Sequence, residues 1–212
     1  MARFSPRRIH FGEPPVDADD EDDGRDLPRP KLLKLRARRA AGIKEAADLL
    51  AVLPGPNESL HAVVTARVDL CDMLGCLLVR AGPCDRMLIA TLGYGPRNLK
   101  SMLRWLDDGR VDSLTLCASI FFRSHNGALW EQTLAEFRRR GQRAACCHSH
   151  AKVASMTFAS GEAFAVEGSA NLRASGSARE QFCLVNSPEL VAWHEGWISD
   201  LVTRHEGEPA RP

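Results

Sequence analysis

No stretch of this 212-residue chain is apolar for long enough to cross a bilayer, and Met1–His10 lacks the apolar core of a secretory signal. Stable membrane association is therefore not expected, and a cytoplasmic location is. Cysteine occurs seven times, an odd count, without the spacing of a disulfide framework. That pattern excludes a disulfide-stapled scaffold and favours reduced thiols. Neither sign of charge is in excess, since 28 Lys and Arg oppose 27 Asp and Glu. Net charge thus says nothing about partners. Internal repeats are also lacking, so any group of functional residues occurs once per chain.

What is present is unevenly placed. Residues 1–30 gather acids between Asp17 and Asp26 together with several prolines and almost no apolar pattern, which predicts a disordered acidic tail. Residues 31–57 follow as a basic helix over 31–53, carrying Lys31, Lys34, Arg36, Arg38, Arg39 and Lys44, and a linker, Pro54-Gly55-Pro56-Asn57, that breaks it. The folded domain is expected over 58–205, with a flexible end at 206–212.

Within that domain helical and strand patterns alternate. Helices are expected over Asp69–Arg80, Arg97–Asp107 and Asn126–Arg140, and from Ser187-Pro188, a cap followed by proline in the first turn. Strands are expected over Arg86–Leu92, Val111–Phe121 and Gln181–Val185. The order favours an α/β fold: a mixed, largely parallel sheet with helices on both faces. Ligands in such sheets bind beyond the carboxyl ends of the strands. The segments Thr91–Asn98 and Ser119–Asn126 occupy those ends, which makes Thr91, Ser119 and His125 candidate substrate contacts.

The chemistry-bearing residues cluster later. Residues 144–158 (AACCHSHAKVASMTF) carry small, β-branched and aromatic residues without Pro or Gly and read as one strand. His150 and Lys152 would then share a face, about 7 Å apart along it. Ser160-Gly161-Glu162 reads as a turn and Ala163–Glu167 as the returning strand, followed by Gly168-Ser169-Ala170-Asn171 and Glu180. A hairpin would bring these polar groups together. A competing arrangement puts Cys146, His148 and His150 on one strand face as zinc ligands, but no clear fourth ligand accompanies them.

The sequence His150-Ala-Lys152, then Gly168-Ser-Ala-Asn171, then Glu180 resembles the phospholipase D superfamily, whose half-site reads H-x-K, G-S/G-x-N and an acidic residue. The wider layout (TLGYG, SIFFRS, HAK, GSANL, EQF) is similar to an uncharacterised group of such proteins in bacteria and prophages, over about residues 60–200. The resemblance implies a metal-independent phosphodiesterase without cofactor. His150 would be the nucleophile passing through a phosphohistidine, and Lys152 and Asn171 would hold the phosphate oxygens. Glu180 would orient an imidazole, and Gly168 and Ser169 would contact substrate. Because the family joins two such motifs, a single H-x-K implies a homodimer.

The family pattern continues H-x-K-x4-D, and Thr157 stands at the Asp position. Alternation along the strand turns residue 157 away from the reacting phosphate, so a structural role for the missing carboxylate is expected. Tyrosyl-DNA phosphodiesterases, of the same superfamily, also lack it. The basic helix favours nucleic acid as substrate. The alternatives are a binding module of this fold that has lost its chemistry, and a phospholipase or phosphatidyl transferase.

Overall fold

In the computed structural model, residues 29–65, 67–173 and 179–206 are described, with side chains from Ala37 onward. The acidic tail and the last six residues lie outside them. The elements run α1 (Arg29–Leu49), β1 (Ser59–Val64), α2 (Leu70–Ala81), β2 (Cys84–Thr91), α3 (Pro96–Asp107) and β3 (Val111–Ser119). They continue with α4 (Ile120–His125), α5 (Gly127–Arg139), β4 (Arg143–Cys147), β5 (Val153–Phe158), β6 (Ala163–Gly168), β7 (Glu180–Asn186) and α6 (Pro188–His205).

The helix starts are set by short polar devices. Asp69 caps α2 by accepting from the Asp72 amide at 2.8 Å, and the Asp72 carboxylate accepts from the Asp69 amide in return. Pro96 opens α3, where the missing amide hydrogen costs nothing. Ser187 caps α6 ahead of Pro188, accepting from Leu190 N at 3.2 Å.

Seven strands form one mixed sheet in the order β1-β7-β6-β5-β2-β3-β4. The α/β class and the mixed sheet agree with the sequence reading. The parallel portion, however, is limited to β2–β3 and β3–β4; the remaining pairings, including both on β7, are antiparallel. The hairpin β5–β6 forms as expected, with Val153 opposite Glu167 and Thr157 opposite Ala163.

Strand alternation divides the core in two. Met87, Ile89, Leu116, Ala154, Met156, Phe164, Phe182 and Leu184 face the layer that holds α1 to α5. Leu88, Ala90, Cys117, Ala145 and Cys147 face the opposite side and are covered by Ile198 and Val202 of α6. The end of α1 belongs to the first layer, where Ala46 and Leu50 are buried. Glu45 on the same helix accepts from both the amide and the hydroxyl of Thr65 at 2.7 Å, tying α1 to the end of β1.

Three departures from the sequence reading have local causes. Strand β1 is unassigned in the sequence reading because its alternation is blurred: Leu60, Ala62 and Val64 turn inward, but Val63 on the other face is apolar and exposed. The strand expected to end at Phe121 stops at Ser119, which caps α4 by accepting from Phe121 N at 3.2 Å. The third is the break between β4 and β5, and it builds the site.

Candidate active site

Residues 144–158 are not one strand. Strand β4 ends at Cys147 on the sheet margin, β5 starts at Val153, and β3 and β2 lie between them. Residues 148–152 therefore cross over the carboxyl ends of β3 and β2. Ser149 supplies the turn: its amide donates to Cys147 O at 2.9 Å and its hydroxyl accepts from Ala151 N at 3.2 Å. This serine was the one local signal for a break. His150 and Lys152 thus sit on a loop at the edge where β1, β2, β3, β4 and β6 end and β5 and β7 begin.

His150 is exposed, and the Lys152 ammonium lies 3.2 Å from its Nδ1 and 3.0 Å from its carbonyl oxygen. An ammonium has only donors, so Nδ1 accepts here and the ring proton sits on Nε2. Partial burial lowers the Lys152 pKa, and the charge of Glu180 works against that shift. The carbonyl of Lys152 accepts from Gly168 N at 3.2 Å, which joins the H-x-K loop to the end of β6.

Ser169 prolongs the β6–β7 ladder, donating its amide to Gln181 O at 3.0 Å. Its hydroxyl accepts from Gln181 N at 2.9 Å and donates to Glu180 Oε2 at 2.5 Å. Glu180 is buried, and its carboxylate accepts from the Ser169 hydroxyl. Gly168 permits the close approach of β6 to β7, because a side chain there would collide with the Gln181 carbonyl oxygen. Gly168→Ala is expected to cost about 1–3 kcal/mol through forced backbone displacement and to lower any activity of the site further than the stability loss explains. Urea denaturation beside a rate measurement checks both.

Asn171 is fixed by its backbone, whose carbonyl accepts from Leu70 N at 3.0 Å. Its Oδ1 is buried and has no hydrogen-bond partner among the described residues. Thr91 is fully buried behind it, accepting from Leu172 N at 3.4 Å and donating to Gly93 O at 3.1 Å. Its hydroxyl supports the Asn171 turn. Ser119 is likewise buried, with its hydroxyl engaged as the cap of α4. The Thr91–Asn98 loop is anchored, not open: Tyr94 is buried and donates to Thr133 Oγ1 at 2.7 Å. His125 stands at the end of α4, exposed, at the same edge.

A network that the sequence reading missed backs the Asn171 turn. Asp69 is fully buried, Asp72 nearly so, and Arg97 at the start of α3 reaches them at 2.6 and 3.8 Å. Burial, with Asp72 beside it, pushes Asp69 up to about 8, while Arg97, the Asp72 amide and Arg39 act against that shift. A lone "Asp-x-x-Asp" at a helix start carries no sign of its future burial. The run Pro96-Arg97-Asn98 reads in the sequence as the end of a ligand-side segment and the start of a helix, with no sign of these ion pairs.

Thr157 points toward α6, where its hydroxyl donates to Glu195 Oε1 at 3.3 Å. It lies well inside β5, away from the edge that carries His150. The zinc arrangement is not formed: Cys146 is buried in β4, and His148 and His150 lie in the loop beyond it. Among the described residues no group of three His, Cys, Asp or Glu is arranged to hold a metal ion.

Comparison with known proteins adds the fold. No protein-family model and no curated protein matches the chain. Among solved structures it is similar to Nuc from Salmonella typhimurium, described as a phospholipase D family member, at a TM-score of 0.50 and 14% identity. That match covers 73% of this chain and 100% of the other. The chain has the phospholipase D fold. NucT from Helicobacter pylori superposes over 71% of this chain and 100% of its own at 0.50 and 13% identity. TrmBL2, an archaeal chromatin protein, matches over 84% of this chain and 66% of its own at 0.50 and 11% identity. In this phospholipase D fold the H-x-K loop and the Ser169–Asn171 turn are neighbours along one sheet edge. Among the described residues no helix is long and apolar enough to cross a membrane.

Proposed function

We propose that this chain is a metal-independent phosphodiesterase acting on nucleic acid, with His150 as the nucleophile. The observation that carries this reading is the grouping of an exposed imidazole and its neighbouring ammonium with the Ser169–Glu180 pair and Asn171. Exposure lets a phosphodiester reach the ring, and Lys152 supplies charge where the non-bridging oxygens gather it. Asn171 carries an amide NH2, a donor of the kind a phosphate oxygen accepts from.

The first step joins His150 Nε2 to phosphorus and breaks one P–O ester bond, whose oxygen takes a proton from a second imidazole. Attack requires a lone pair on Nε2, so the ring proton must move to Nδ1 and Lys152 must leave that atom. An incoming phosphate draws the ammonium away and so prepares the nucleophile. In the second step water gives its proton back to the second imidazole, its oxygen joins phosphorus, and the P–N bond breaks. The chain holds one H-x-K, so the second imidazole comes from another copy, whose own His150 is equally exposed.

Nucleic acid is favoured by the basic run on α1 and by the DNA binding of the chromatin protein that shares the fold. In the test, purified protein is incubated with an oligonucleotide and with an aromatic phosphodiester in excess EDTA. Cleavage of the oligonucleotide is expected and chelation should not slow it. Failure to cleave either substrate, or activity that EDTA removes, contradicts the proposal.

A further inference from the structure

Helix α4 leaves the carboxyl end of β3 and presents two rings to solvent. Phe121 is 59% exposed, and its ring lies 4.1 Å from that of His125, tilted by 35°. A single exposed apolar residue is ordinary in a folded protein. This one is held in place. The His125 Nδ1 lies 2.8 Å from Phe121 O and 3.0 Å from Ser124 Oγ, and Ser124 Oγ also donates to Phe121 O at 2.9 Å. On the other side of the same short helix, Phe122 is buried against Tyr94 with ring centroids 4.2 Å apart. The helix is anchored through one aromatic while it displays the next.

Its place in the sheet gives the rings a use. Ser119, which caps α4, pairs with Cys147, the last residue before the loop that carries His150. Strand β5, where that loop ends, is two strand spacings from β3, or about 10 Å. A nucleotide neighbouring the reacting phosphate on the same strand can span that distance. Its base would meet a rigid aromatic surface.

We infer that Phe121 and His125 form a base-stacking platform that selects unpaired nucleotides at this edge. The inference rests on the nucleic-acid reading given above and narrows its substrate class to single-stranded nucleic acid. Stacking uses the π-face that every base has, so the platform is tolerant of sequence. A base inside a duplex is covered by its neighbours and has no face free for Phe121.

The test measures binding of the full chain carrying His150→Ala, so that the oligonucleotide stays intact, by fluorescence anisotropy. The probes are a short single strand, its duplex, and the same strand with abasic sites. Adding Phe121→Ala is expected to weaken single-strand binding about tenfold or more, with duplex and abasic binding changed less than twofold. Phe121→Trp should retain single-strand binding, and circular dichroism should match across the set. Unchanged single-strand affinity, or equal losses on all three probes, overturns the platform. So does Phe121-dependent binding to phosphatidylglycerol vesicles without any preference for single strands, which would make the ring a membrane contact. The two readings fail separately. Phe121-dependent binding by a parent chain that cleaves nothing removes the phosphodiesterase alone, whereas EDTA-resistant cleavage with binding indifferent to Phe121 removes the platform alone.

Discussion

His150→Ala should reduce phosphodiester cleavage on the order of 10^4-fold or more, because it removes the imidazole that lies against Lys152. Its fold should be intact. His150 is exposed, and its ring contacts the Lys152 ammonium, so stability should stay within about 0.5 kcal/mol of the parent. Lys152→Ala should leave the nucleophile but lose the positive charge at the phosphate, a loss of roughly 10^2 to 10^3 in rate. Rates on an oligonucleotide, with thermal melts of each variant, check both. If His150→Ala retained parent activity, the nucleophile would lie elsewhere.

The largest stability effect should come from a residue outside the reacting group, in Arg97→Gln. Its guanidinium lies 2.6 Å from a fully buried carboxylate and 3.8 Å from a second buried one. Removing one partner of such a set leaves uncompensated charge, at a cost of roughly 2–4 kcal/mol once the partial exposure of Arg97 is discounted. The pH dependence has a definite sign. Burial holds the Asp69 pKa above its unfolded value, so its contribution to stability is fully present below the ordinary carboxylate range and is lost as pH rises through about 8. Without Arg97 the native pKa values of Asp69 and Asp72 rise further. The variant should therefore fall away from the parent as pH rises through about 8 and approach it as pH falls and both carboxyls protonate. Urea melts at several pH values measure this, and a difference that ignores pH would assign the loss to packing. Because Leu70 N, next to Asp69, holds the Asn171 carbonyl, the variant should also lose activity at pH 8.

The motif residues were legible because the chemistry fixes both their types and their order, and the β5–β6 hairpin was legible from its turn and alternation. The path between β4 and β5 was not. Apart from Ser149, AACCHSHAKV reads as one long strand, and the two strands that come between its halves are a tertiary fact. The consequence is chemical, because His150 and Lys152 meet through a loop that folds back on itself, not through the pleat. Thr91 and Ser119 were correctly placed at strand ends, yet burial of their hydroxyls depends on the Asn171 turn and on α4, which follow much later or were unseen. The Asp69–Asp72–Arg97 network escaped because capping residues are usually solvated, and only the packing of α2 against its neighbours buries these.

The central claim is a covalent bond between His150 and phosphorus. The parent chain is mixed briefly with a labelled oligonucleotide, quenched in alkaline denaturant where phosphoramidates survive, and digested with trypsin. The peptide spanning residues 144–152 should carry a phosphoryl-nucleotide adduct, and fragmentation should place it on His150 and not on His148. An adduct on any other side chain, or none while cleavage proceeds in the same tube, would contradict the account.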